Sequence, residues 1–105
     1  MTDAAVLQIE SLNESTAILT LNRPDRFNAL NIELMQALCA AFDSLAAEPR
    51  RRLVLLCGAG KGFCSGLDLR ETSDSKVAEL SADWVARTFQ TVRSSPLVTV
   101  CVAHG

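Results

Sequence analysis

Residues 53–66 read Leu53-Val54-Leu55-Leu56-Cys57-Gly58-Ala59-Gly60-Lys61-Gly62-Phe63-Cys64-Ser65-Gly66. The five apolar residues have the length of a strand, and their lack of alternation is the pattern of a strand buried on both faces. They run into a loop that holds four of the chain's five glycines. Upstream, Leu34, Leu38, Phe42 and Leu45 recur at three- and four-residue spacing, with Met35, Cys39 and Ala46 beside them. That spacing predicts an amphipathic helix of about four turns. Asn31 is its expected N-cap, Glu33 suits the positive end of its dipole, and Pro49 stops it. Downstream, residues 75–94 form a second amphipathic stretch, with Val77, Leu80, Trp84, Val85, Phe89 and Val92 on one broad face, of which Trp84 and Phe89 are expected to be core or subunit contacts. Pro96 ends it, and residues 97–103 are a second almost wholly apolar strand.

Further out, residues 6–12 alternate loosely through Val6, Leu7, Ile9 and Leu12, meet the turn Asn13-Glu14-Ser15, and resume at 16–21 with Ile18, Leu19 and Leu21. Two short runs around a polar turn predict a β-hairpin. Pro24 then ends the strand in the loop Asn22-Arg23-Pro24-Asp25-Arg26. The order is β-β-α-β-α-β, which favours a layered α/β fold over a sandwich or a bundle. No composition shift marks an internal boundary, and 105 residues fit one domain.

Composition narrows the function. The chain is 49% hydrophobic and 21% charged, within the globular range. Ten Lys plus Arg against twelve Asp plus Glu give a formal net charge of −2, with no broad basic footprint for nucleic acid and no polybasic membrane patch. No apolar run approaches the roughly 20 residues that span a bilayer. Met1-Thr2-Asp3-Ala4-Ala5 lacks the basic start and apolar core of a signal peptide, so a cytoplasmic location is expected. Cys39, Cys57, Cys64 and Cys101 form no C-x-x-C pair, and the single histidine, His104, has no partner at zinc-ligand spacing. No metal is expected, and the cysteines read as reduced core or near-core thiols.

The glycine loop follows a strand, so phosphate-loop readings come first. Lys61 is followed by Gly62, so the hydroxyl that a Walker loop supplies to magnesium is missing. Counting from Gly58, the sixth position is Phe63, which breaks the dinucleotide-binding spacing. What remains is a flexible backbone running to Asp68, where residues 68–71 are expected to open a short helix. Free N–H groups at such a start can hold an anion or a polarised carbonyl oxygen. In a water-poor pocket one such donor is worth roughly 3–4 kcal/mol in a transition state. The alternative is a plain surface turn.

Two stretches carry a resemblance. Leu21-Asn22-Arg23-Pro24-Asp25-Arg26-Phe27-Asn28-Ala29-Leu30 is similar to the signature before the first helix of the enoyl-CoA hydratase/isomerase (crotonase) family. Gly62-Phe63-Cys64-Ser65-Gly66-Leu67-Asp68-Leu69 resembles its oxyanion loop. The likeness runs over nearly the whole chain, both motifs in order, and residues 97–105 resemble the strand entering the family's second glycine-rich turn. It implies a crotonase-like spiral of ββα units, of which residues 1–105 are the N-terminal part of a single domain. It further implies acyl-CoA thioester substrates and a homotrimer or a hexamer (a dimer of trimers). No separate cofactor is implied, coenzyme A entering as part of the substrate.

By position, the backbone N–H of Leu67 is then the first oxyanion donor, and Gly66 lets the chain approach the ligand because it has no Cβ. Ser65, Gly66, Leu67, Asp68, Leu69 and Arg70 shape the acyl-CoA site, while Arg26, Phe27 and Ala29 lie where the family holds the nucleotide end. A guanidinium at 26 suits phosphate. Its alternative is a solvated loop charge. Asp68 reads as a helix cap or loop brace ahead of an acid, Lys61 as a surface charge, Glu71, Asp74 and Glu79 as a polar helix face, and His104 as structural.

The resemblance also implies that the second oxyanion donor and the acidic groups that move water and protons lie beyond Gly105. The 105 residues would be less than half of a family subunit and inert by themselves. Three readings stand: the first part of an acyl-CoA lyase of fatty acid metabolism, most simply a 2-enoyl-CoA hydratase, with isomerase or other family chemistry as the variant; a module that binds CoA without chemistry; or a structural fragment.

Overall fold

The computed structural model describes residues 5–105. Residues 1–4, read above for a leader, lie outside them. Strands β1 (Leu7–Ser11) and β2 (Thr16–Leu21) form the expected hairpin, paired antiparallel from Leu7↔Leu21 to Ser11↔Ala17. Asn13 makes its turn, Oδ1 accepting from the N–H groups of Ser15 at 3.0 Å and Thr16 at 2.9 Å. Helix α1 (Ile32–Ala46) begins where Asn31 Oδ1 accepts from Leu34 N–H at 2.9 Å, and ends before Pro49. Strand β3 (Leu53–Gly58), helix α2 (Ser75–Ser94) and strand β4 (Val98–Cys101) complete the order. The sheet runs β1-β2-β3-β4, with β2, β3 and β4 mutually parallel, each parallel pair joined through a helix. The mixed α/β architecture is the one expected.

One core lies between the sheet and α1. Ala17, Leu19 and Leu21 of β2 and Val54 of β3 pack against Leu34, Leu38, Ala41, Phe42 and Leu45 of α1. These strand positions alternate, so a single face of the sheet takes the burial. That corrects the reading of residues 53–57 as a strand buried on both faces: only Val54 is fully buried, and its neighbours are half-buried. Strand β4 is shorter than residues 97–103, and Val98, Val100 and Val102 are exposed, because the far face of the sheet is uncovered among the described residues. Of the four thiols, Cys39 is buried, Cys64 is half-buried against the core, Cys57 is half-buried and Cys101, near the end of β4, is exposed, so the expectation of core or near-core thiols fails at Cys101.

Helix α2 has the expected boundaries, and Val77, Trp84, Val85 and Val92 of the expected stripe are half-buried on its inner face. It packs on α1 through Ser81 and Thr88, both small enough to let the helices approach, and Thr88 Oγ1 sits 3.6 Å from Cys39 Sγ. Leu80 and Phe89, at the two flanks of the apolar stripe, are 49% and 65% exposed. The face that periodicity located is the one that packs on α1.

Candidate functional site

Between β2 and α1 the chain makes a single 3-10 turn (Pro24–Arg26), with proline at its first position, where a missing N–H costs nothing. Phe27 and Asn28 follow in the left-handed region, φ 52° and 57°. Asn is one of the few side chains that tolerate this conformation. Asn28 is fully buried, accepts the Arg23 N–H at 2.7 Å, and donates to the carbonyls of Ala59 and Gly62, both at 2.9 Å. The turn therefore rests on the glycine loop.

Gly58 is required where the loop leaves β3, since a Cβ there would stand 2.5 Å from the Phe63 carbonyl oxygen. Beyond it the loop returns under the 3-10 turn. Ser65 N–H donates to Phe27 O at 3.0 Å, and Leu30 and Leu67 form a parallel β-bridge. Leu30 N–H donates to Gly66 O at 2.7 Å, and Asp68 N–H donates to Leu30 O at 2.9 Å. In a parallel bridge the bracketed residue points its own N–H and C=O to the other side. The Leu67 N–H thus faces away from Leu30, and it donates to no described atom.

Gly66 has φ +101°, and a Cβ on it would meet nothing within 4 Å. Backbone conformation, rather than lack of room, is what calls for glycine here. The expected helix at residues 68–71 does not form. Leu67 is held extended by the bridge, and Asp68 turns the chain by accepting the Arg70 N–H on its own Oδ1 at 3.0 Å. The next helix starts only at Ser75, capped by Asp74. Glu71 is on no helix face: its Oε1 accepts the Ile32 N–H at 2.9 Å, placing a carboxylate at the positive end of α1.

Asp68 is buried and takes cations from both sides, Arg23 Nη2 at 3.1 Å and Arg70 Nη2 at 3.4 Å. Burial by itself raises its pKa. The bonds from Arg70 through side chain and backbone, and from Arg23, outweigh that and hold the carboxyl below its ordinary 3.8. Arg23 also donates to Ala29 O, so it braces both limbs of the site. His104 Nε2 lies 2.8 Å from Gly60 O, while its own carbonyl accepts the Phe63 N–H at 2.9 Å, a structural position. Lys61 is exposed.

The sequence-predicted residues come together. Arg26, Phe27, Ala29, Ser65, Leu67, Asp68, Leu69 and Arg70 line one open cleft of about 440 Å³, and Gly66 lies in its wall between Ser65 and Leu67. Among the described residues the Arg26 guanidinium has no ion-pair partner. A second cavity of about 280 Å³, lined by apolar surface of Leu21, Leu30, Phe63, Cys64, Phe89 and Val92 among others, opens under the loop. Sequence reasoning missed Arg23 and Asn28 as the residues that shape the cleft. The signal was present in Asn28, an asparagine two residues after a proline-initiated turn.

The model of the enoyl-CoA hydratase/isomerase family matches residues 16–102. A probable enoyl-CoA hydratase of Mycobacterium tuberculosis is 41% identical over 98 residues, covering 90% of this chain and 38% of that protein. A mevalonyl-coenzyme A hydratase of Beauveria bassiana is 46% identical over 61 residues, 58% of this chain and 22% of its own length. Among solved structures, an enoyl-CoA hydratase of Mycobacterium smegmatis superposes with TM-score 0.88 at 31% identity, covering 95% of this chain and 40% of that one. The chain thus spans well under half the length of these relatives. The match includes both loops that wall the cleft, on the same β-β-α-β-α-β frame, and the chain belongs to the enoyl-CoA hydratase/isomerase family.

Proposed function

We propose that the protein acts on acyl-CoA thioesters, and that residues 1–105 form the N-terminal part of a single domain whose reaction is the addition of water to 2-enoyl-CoA. The observation that carries this is the Leu67 N–H, turned away from Leu30 and unpaired among the described residues, on a residue that lines a cleft together with Arg26 and Arg70. In hydration, the oxygen of water bonds to C3, a proton is delivered to C2, and the negative charge passing through the thioester oxygen is stabilised by an N–H placed to meet it. In this reading Leu67 supplies that N–H. Phe27, Ala29, Ser65, Gly66, Asp68, Leu69 and Arg70 shape the cleft, and the guanidinium of Arg26 takes a phosphate of the CoA moiety.

Asp68 suits bracing better than base catalysis. Both of its oxygens are occupied by Arg23 and Arg70, and its lowered pKa makes it a poor proton acceptor near neutral pH. The groups that activate water are therefore assigned outside residues 1–105. The apolar cavity beside Phe63 and Cys64 favours an unfunctionalised acyl chain. Coenzyme A enters as part of the substrate with no separate cofactor, the assembly is a homotrimer or hexamer, and the setting is cytoplasmic fatty acid metabolism. No described helix is long and apolar enough to cross a membrane.

The test is calorimetric titration with acetyl-CoA and with its thioether analogue, which lacks the carbonyl. Tighter binding of the thioester supports the reading. Equal affinities, or no binding of either, contradict it.

A further inference from the structure

We propose that Asn28 is the positioning residue of the loop that carries Leu67. Its carboxamide sets where residues 59–66 cross beneath the cleft, and through them the direction of the Leu67 N–H. The inference rests on the acyl-CoA reading above and assigns it a residue that never touches the ligand.

Asn28 has no exposed surface and is absent from the cleft wall. A primary amide survives such burial only when its polar atoms are bonded. Its three bonds reach backbone atoms at three separate places, Arg23 N–H at the start of the 3-10 turn and the carbonyls of Ala59 and Gly62 on the near limb of the loop. Its chain neighbours hold the far limb, Phe27 O accepting from Ser65 N–H and Leu30 bracketing Leu67. Asn28 is thus the side chain that ties Ala59 and Gly62 to the short segment whose backbone holds residues 65–68. His104 steadies only the tip, at Gly60 O.

The backbone points the same way. Two successive non-glycine residues with positive φ are costly, and such strain persists where the surroundings over-determine it. The donor pattern is also specific. Asp at 28 would keep shape and left-handed tolerance, but would turn an oxygen toward two carbonyl oxygens. Gly would keep the positive φ and lose all three bonds.

The test compares the wild-type chain with Asn28→Asp and Asn28→Gly, using acetyl-CoA labelled with ¹³C at the carbonyl. Isotope-edited infrared spectroscopy reads the carbonyl stretch of the bound thioester, and titration reads its affinity. The wild type should lower the stretching frequency relative to free thioester. In either folded variant that lowering should shrink by at least half, and affinity should fall about tenfold, the equivalent of one charge-assisted hydrogen bond. A variant that folds less well yet leaves the bound carbonyl frequency unchanged would make Asn28 merely structural and overturn the inference.

Should neither variant fold, amide exchange in the wild type decides. The Asn28 side-chain protons should be strongly protected and should shift when acetyl-CoA binds. Exchange at the rate of a free carboxamide, or no response to ligand, overturns the inference. A wild type that leaves the thioester frequency unmoved fails the acyl-CoA reading instead, while Asn28 protection still reports whether the loop is pinned.

Discussion

Leu30 and Leu67 lie side by side as a parallel β-bridge, and the two bonds that join their segments come from Leu30 itself and from Asp68, leaving the Leu67 N–H without a partner among the described residues. The bridge explains how an amide donor can be held in place without a helix start. Its direction is fixed by the ladder, and Asp68, held by Arg23 and Arg70, secures the next residue. On the proposed reading, an amide held in this way needs no reorganisation when charge develops in front of it.

The glycines of the loop should respond unequally to alanine. Gly58→Ala places a Cβ against the Phe63 backbone, which cannot swing aside as a side chain would. A loss of about 1–3 kcal/mol is expected from such overpacking. Gly62→Ala meets open space at an ordinary backbone angle and should stay within about 0.5 kcal/mol of wild type. Urea denaturation of the two variants checks the contrast, and similar midpoints would count against the described loop path.

Asp68→Asn should destabilise the fold by about 1–3 kcal/mol at neutral pH through weakened bonds to charged partners. The pH dependence has a definite sign. The folded pKa of Asp68 lies below the ordinary 3.8, so its contribution is complete above that value and is lost as pH falls through the folded value. The gap between wild type and Asp68→Asn should accordingly be constant from pH 7 to about pH 5 and narrow in acid. A gap that widens on acidification would reverse the assignment.

Arg26→Ala should weaken CoA binding more at low salt than at high salt, because ions already screen a contact between an exposed guanidinium and a phosphate. Titrations at two ionic strengths suffice. Equal affinity of wild type and variant under both conditions would return Arg26 to the status of a solvated charge.

The 105-residue chain, given a 2-enoyl-CoA, should leave the enoyl absorbance unchanged above background. An amide donor polarises the carbonyl but delivers no water, and each proton transfer it lacks is worth about 10²–10⁴-fold. Sustained loss of absorbance with turnover would place a base among these residues.

Local features were legible from the chain itself. The caps at Asn31 and the limits of α2 depend on residues a few positions apart, and the structure reproduces them. The residues around the cleft were found through two linear motifs, each continuous in sequence. What escaped notice depends on distant partners: the hold of Asn28 on Ala59 and Gly62, Glu71 at the start of α1, and Arg23 against Asp68. None of these pairings leaves a trace in spacing or hydropathy. The exposed flanks of the α2 stripe, Leu80 and Phe89, have the same origin, since a periodic stripe says which side is apolar and not how wide a neighbour will cover it.

The central claim is that Leu67 offers its N–H to a thioester carbonyl, and the most direct measurement is the amide proton shift of Leu67 in a ¹⁵N-labelled sample titrated with acetyl-CoA and, separately, with the thioether analogue. A downfield movement with the thioester that is absent with the thioether is expected. A Leu67 resonance that stays in place while the thioester binds, or that moves equally with both ligands, would contradict the claim.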